Sequence, residues 1–130
     1  MGFPTLKKLT EAFKNRDDVV FVGIQTVFEG FGINTAAKLR KNQVKYEVEI
    51  PMAHAAGDQQ THNIPEIMRN YRSGGTPWTV IIDPSGKVAF NDFHIDAGPA
   101  VALIEKLLQQ KRSRLNPFQH PQNKVALLLK

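Results

Sequence analysis

The strongest fold signal in the sequence is the segment GTPWTVIIDPSGKV, residues 75–88. It places a Thr-Pro pair directly after two glycines, where the chain has to turn sharply. The β-branched and aromatic run from Trp78 to Ile82 predicts a strand that is buried on both faces. Residues 83–86 are all turn formers, and residues 87–90 then return as the second strand of a hairpin.

Helices and strands alternate on the N-terminal side of this hairpin. Hydrophobic periodicity and capping residues locate five elements. In chain order we predict a helix that begins at Phe3-Pro4 and buries Leu6, Leu9 and Phe13, a buried strand over 19–24, a helix capped by Asn34 and ending near Asn42, an alternating strand over 46–50, and a helix capped by Asn63 and reaching Tyr71.

On the C-terminal side, Pro99 begins a last helix with one apolar stripe, formed by Ala100, Leu103, Ile104 and Leu107. The order α-β-α-β-α-β-β-α is typical of a three-layer α/β sandwich. We expect its sheet to be mixed, because the hairpin adds an antiparallel edge to otherwise parallel strands.

Composition narrows the function classes. The chain has 130 residues, enough for one domain, and it contains no cysteine, which excludes disulfides, zinc–thiolate sites, iron–sulfur clusters and a thiol nucleophile. Residues 106–130 carry six basic and no acidic side chains. A basic tail can meet phosphate, but no aromatic interleaving or binding module accompanies it, so nucleic acid is not an expected partner. The longest apolar run, 125–129, is too short for a membrane span.

Four segments carry a family resemblance: residues 3–9 (FPTLKKL), 19–25 (VVFVGIQ), 50–52 (IPM) and 75–88. Together they resemble the redoxin and TlpA-like thiol–disulfide oxidoreductases of the thioredoxin-like superfamily, which are relatives of the antioxidant peroxiredoxins. The resemblance spans roughly residues 3 to 110. It implies a thioredoxin-like sandwich and, for residues 1–110, a thioredoxin-like domain.

The resemblance also implies a binding site. In this family the X-Pro bond of the loop is cis, and the backbone before it pairs with a protein or peptide substrate, so Gly75, Thr76 and Pro77 become the predicted substrate-binding residues. The residues themselves leave open a trans proline that merely begins a strand. We predict no catalytic residue, no cofactor and no metal within the chain.

The chain departs from the family at its start. The family's Cys-x-x-Cys, or single peroxidatic cysteine, would come immediately before Gly2, preceded by a strand. Since a thiolate is the nucleophile in disulfide exchange, we expect the chain as given to be inactive in that reaction. The sequence then reads either as an N-terminally truncated piece of a longer redox protein or as a thiol-free relative with another use.

The missing strand would lie at the centre of the sheet, between 19–24 and 78–82. An unfilled central position would leave two rows of buried backbone groups unpaired. We predict that residues 124–129 (KVALLL) fill it, either within one chain or in a strand-swapped homodimer. Residues 111–130 would then be a basic linker and an apolar inserted strand. A terminal helical turn or a disordered tail is the alternative for this segment.

Histidines and carboxylates supply two weaker candidates. His54, Asp58 and His62 have i, i+4, i+8 spacing, which would align metal ligands on a helix, but Gly57 argues against a helix there. His94 and Asp96 follow the hairpin without a motif. Two functions therefore remain: a domain of a redoxin or TlpA-type oxidoreductase whose thiols lie elsewhere, and a thiol-free module that binds an extended peptide.

Overall fold

The computed structural model describes residues 2–114 and the backbone of a strand at 125–129. Helices and strands alternate as the sequence predicts. The helices are α1 (Phe3–Ala12), α2 (Ala36–Lys45), α3 (Glu66–Asn70) and α4 (Ala97–Arg114), and the strands are β1 (Val19–Val27), β2 (Met52–Ala56), β3 (Thr79–Ile82), β4 (Val88–Asp92) and β5 (Val125–Leu129).

The five strands form one mixed sheet in the order β2-β1-β5-β3-β4. β1 is parallel to β2 and to β5, whereas β3 is antiparallel to β5 and to β4. The predicted hairpin of residues 78–90 is therefore the antiparallel edge of the sheet. Mixed sheet and alternating helices confirm the three-layer α/β fold class.

The C-terminal strand β5 occupies the central position of the sheet. Its residues 125–129 pair in register with residues 19–23 of β1, and residues 126–129 pair with β3. The segment thus fills the predicted gap, and the same chain supplies it. The intervening residues 115–124, which include most of the predicted linker, lie outside the described residues, while residues 111–114 continue α4.

The main core lies between one face of the sheet and the helices α1 and α4. Its central side chains, exposed by 3% or less, are Leu6, Leu9, Phe13, Ile81, Ala100, Ile104 and Leu108. Successive strand residues point to opposite faces, so Val80 lies on the other face from Ile81. Val80 is equally buried, and Met68 of α3 is buried outside the main cluster.

The predicted strand over 46–50 is wrong. Tyr46 caps the C-terminus of α2, and Glu47 has a left-handed φ of 52°, so the chain reverses there and enters the sheet only at Met52. Val48 and Ile50 are nevertheless 5% and 8% exposed and pack in the core. The alternation of apolar and charged residues therefore predicts correctly that Val48 and Ile50 are buried, although the backbone there is not a strand.

The helix boundaries also differ from the prediction. Thr35, not Asn34, caps α2, because its side chain accepts a hydrogen bond from the Lys38 N–H at 3.2 Å. Helix α3 begins after Pro65 and has five residues, since Asn63 pairs with Asp58 across a short bridge. Helix α4 begins at Ala97, two residues before the predicted start.

Candidate functional site at the Thr-Pro loop

The loop of residues 73–77, here called the Thr-Pro loop, connects α3 to β3. Its Thr76–Pro77 peptide bond is cis, and both residues are exposed. Gly75 has a φ of 154°, and a Cβ there would lie 3.1 Å from the Phe93 ring. A larger residue at position 75 would therefore meet both an unfavourable backbone angle and a packed ring.

Strand β4 holds the base of this loop. The Trp78 indole donates a hydrogen bond from Nε1 to Asn91 Oδ1 at 2.6 Å, and Asn91 Nδ2 donates to the Tyr71 carbonyl at 2.9 Å. The rings of Trp78 and Phe93 meet edge to face at 4.7 Å. These contacts hold Tyr71 before the loop and Trp78 after it, so the loop presents Thr76 and Pro77 from a fixed base.

A cavity of about 410 Å³ adjoins the Thr-Pro loop. We call it the α1–β1 cavity, because the start of α1 with its cap and the carboxyl end of β1 each contribute three of its lining residues. Its volume lies within the range of small-ligand pockets. It is lined by Gly2, Phe3, Leu6, Ile24, Gln25, Thr26, Phe28, Glu29, Asn34, Leu39, Asn42, Met52, Thr76 and Pro77.

Two lining residues carry polar atoms without partners. Gln25 Oε1 and Thr26 Oγ1 are enclosed, and neither makes a hydrogen bond within the described part of the chain. An enclosed acceptor without a donor costs free energy. Gln25 and Thr26 follow each other on β1, so their side chains lie on opposite faces of the sheet.

Electrostatics at this cavity are weak. Among the described residues that line it, Glu29 is the one with a charged side chain. The shifted pKa values belong to residues elsewhere: hydrogen bonds from Arg16 lower the pKa of Asp18, and Ser85 lowers the pKa of Asp83. The sequence contains no cysteine, so no thiol of this chain lies at the cavity.

The histidine candidates lie apart from this site. His54 Nε2 hydrogen-bonds to the Asn34 carbonyl at 2.9 Å, while the Asp58 carboxylate accepts from backbone N–H groups in its own turn. His94 pairs with Asp96 at 2.9 Å. Among the described residues, no three His, Asp or Glu side chains are grouped as a metal site would require.

Within residues 2–114 and 125–129, no helix is both long enough and apolar enough to cross a bilayer.

A central parallel pair, an antiparallel hairpin and a cis-proline loop before the hairpin define a thioredoxin-like fold, as the sequence resemblance predicted. Solved structures agree with this assignment. A crystal structure described as a thioredoxin-like superfamily protein has a TM-score of 0.71 and 28% identity, covering 82% of this chain and 68% of that one. A thiol-disulfide isomerase from Corynebacterium glutamicum has a TM-score of 0.69 and 24% identity, covering 79% of this chain and 68% of that one. No family model and no curated protein matches the chain.

Sequence reasoning located the Thr-Pro loop but missed the cavity beside it. The predicted strand stopped at Ile24, whereas β1 continues through Gln25 and Thr26 to Val27. The available signal was two polar residues followed by another apolar one at the end of a buried strand. Polar residues such as Gln25 and Thr26 within an otherwise apolar strand can line a binding site.

Proposed function

We propose that this chain is the substrate-binding part of a redoxin or TlpA-type thiol–disulfide oxidoreductase. In this role Gly75, Thr76 and Pro77 hold an extended peptide segment by backbone pairing, and the chain itself supplies no redox thiol. The exposed, firmly based Thr-Pro loop is the observation that carries this proposal.

Backbone hydrogen bonding at the loop supports it. Outside helices and strands, no backbone hydrogen bond between described residues involves Gly75, Thr76 or Pro77. Ladder pairing of β3 begins only at Thr79. Since backbone groups seek partners and an extended peptide offers both donors and acceptors, the Thr76 N–H and C=O suit strand addition.

The test is selection from a phage-displayed library of linear twelve-residue peptides, followed by N-methylation of each residue of a selected peptide. Methylation of a residue that faces Thr76 should weaken binding at least tenfold, whereas methylation of its neighbours should not, because alternate residues of a strand point their N–H groups the same way. Gly75→Ala should also weaken binding. Gly98→Ala is the matched control, since a Cβ there meets open space. An unenriched library, or binding indifferent to N-methylation at every position, would refute peptide pairing.

The location of Gly2, at the start of α1 and beside the Thr-Pro loop, favours the oxidoreductase over a stand-alone, thiol-free binding module. Gly2 and Thr76 line the same cavity, so a thiol-bearing segment joined directly to Gly2 would be attached at the wall that the Thr-Pro loop also lines. We expect the chain as given to reduce no insulin disulfide. Joining Cys-Gly-Pro-Cys to Gly2 should confer that activity, and Ser-Gly-Pro-Ser should not. Equal inactivity of both fusions, with peptide binding retained, would leave the thiol-free binding module as the better assignment.

A further inference from the structure

Phe93, the first residue after β4, lies against the Thr-Pro loop. We propose that its ring selects a large apolar side chain at the peptide residue that pairs opposite Gly75. This inference rests on the proposed function and specifies its substrate class, namely extended peptides with an apolar residue next to the one that faces Thr76.

The Phe93 ring stands where a side chain of residue 75 would lie. A Cβ built at Gly75 would be 3.1 Å from the ring atom Cε1, and one built at Gly74 would be 3.2 Å from Cζ. The ring also meets the Trp78 indole edge to face, with 4.7 Å between centroids. An aromatic ring that covers glycines in this way supplies the apolar surface that the glycines themselves lack.

This ring is held in place and is still accessible to a partner. Phe93 is 47% exposed, whereas Trp78, against which it packs, is 8% exposed. An aromatic side chain can bury about 150–250 Å², so a substantial apolar area of Phe93 remains available. Because its neighbours already fix the ring, Phe93 has little conformational freedom left to lose on binding.

Strand pairing brings one peptide side chain to this ring. Side chains directly opposite each other on paired strands lie on the same face, with Cβ atoms about 4.5–5.5 Å apart. The side chain opposite Gly75 therefore lies on the face toward which a Cβ of Gly75 would point, which is the face of Phe93. In either strand direction, this residue is an immediate neighbour of the one that faces Thr76, and the other neighbour lies toward Pro77.

The test starts from a selected peptide in which N-methylation has identified the residue that faces Thr76. Leucine or the nearly isosteric asparagine is placed at each neighbour of that residue in turn, and binding is measured by fluorescence anisotropy. At one neighbour, the native chain should bind the leucine peptide about fivefold more tightly, as burial of about 40 Å² of apolar area provides. At the other neighbour, the two peptides should bind within about twofold of each other.

Phe93→Ser removes the ring and should reduce the preference for leucine to within about twofold. This ratio compares two peptides on the same protein, so a general loss of affinity cancels. Val88→Ser is the matched control, because Val88 is 50% exposed at the other end of β4, and it should keep the preference. A native chain without the preference, an equal preference at both neighbours, or a preference that survives Phe93→Ser would overturn this inference and leave peptide pairing intact.

A second measurement uses the native chain alone and so covers the case in which Phe93→Ser does not fold. Nuclear Overhauser effects should connect the Phe93 ring protons with the leucine methyl groups of the bound peptide. Their absence from a complex that has formed would overturn the inference. If no peptide binds, the proposed function fails, and this inference fails with it.

Discussion

The central strand β5 pairs with β1 on one side and with β3 on the other. Removing residues 121–130 would take away five register pairs with β1 and four with β3. We expect the shortened chain to lose cooperative unfolding altogether, because its sheet would be divided into two separate pairs of strands.

The loss of unfolding free energy on deletion can be worked out from the backbone hydrogen bonds that β5 makes. At roughly one backbone hydrogen bond for each register pair and about 0.5–1.5 kcal/mol net for each bond, the loss is on the order of 10 kcal/mol. Backbone groups of β1 and β3 that are left unpaired away from water add to this cost. A domain is stable by only about 5–15 kcal/mol, so the deletion consumes most or all of the stability.

The assay is urea unfolding followed by the fluorescence of Trp78, the single tryptophan, which is 8% exposed. A point variant in β5 should cause a smaller loss of stability than the deletion. Leu127→Pro removes a ladder N–H in mid-strand and should cost at least about 3 kcal/mol. Leu127→Val keeps the N–H and a strand-forming side chain, and serves as the control.

Adding the missing strand back as a separate peptide tests whether β5 is what the shortened chain lacks. A synthetic peptide of residues 121–130, added to the shortened chain, should restore a cooperative transition whose midpoint rises with peptide concentration. A shortened chain that keeps the melting temperature of the full chain would refute the central role of β5. If the full chain exchanges β5 between copies, a strand-swapped homodimer will form, and size-exclusion chromatography with light scattering will detect it.

Three further substitutions test local contacts. Arg16→Lys replaces the two-pronged hydrogen bond to Asp18, at 2.8 and 2.9 Å, and should cost about 1 kcal/mol in urea unfolding. Arg16 lowers the folded-state pKa of Asp18. The stability that this ion pair contributes is therefore complete above the ordinary carboxyl pKa of about 3.9, and it is lost as the pH falls through the lower folded value. Between about pH 4 and pH 2 the native chain should consequently lose more stability than Arg16→Lys. An identical acid dependence in both chains would contradict this. Asp83→Ala removes a carboxylate that accepts from the Ser85 N–H and hydroxyl and from the Lys87 N–H, and should lower the melting midpoint by the equivalent of about 1 kcal/mol; an unchanged midpoint would show that the turn holds without it. A Cβ built at Gly23 would lie 2.1 Å from the Met52 sulfur, so in Gly23→Ala the flexible end of the Met52 side chain has to move, and the variant should cost about 1 kcal/mol. Adding Met52→Ala should recover part of that loss; strictly additive losses would mean that the two sites are not in contact.

Local sequence patterns were sufficient for several elements. The run Trp78 to Ile82 and the turn that follows it determine the hairpin, because burial on both faces and turn chemistry are both local properties. Apolar spacing likewise identified Leu6, Leu9 and Phe13 as core residues, and all three are 3% exposed or less. The identification of 125–129 as the central strand required one further step, namely that a buried gap in a sheet has to be filled.

Only the tertiary structure decided where the chain turns and what forms the site. The alternation of residues 46–50 is as compatible with a strand as with a turn that buries Val48 and Ile50, since the sequence records burial and not backbone direction. The α1–β1 cavity is built from residues between 2 and 77 that meet at the carboxyl end of β1. No local pattern encodes such a meeting, because the enclosure of Gln25 depends on the packing of segments that are distant along the chain.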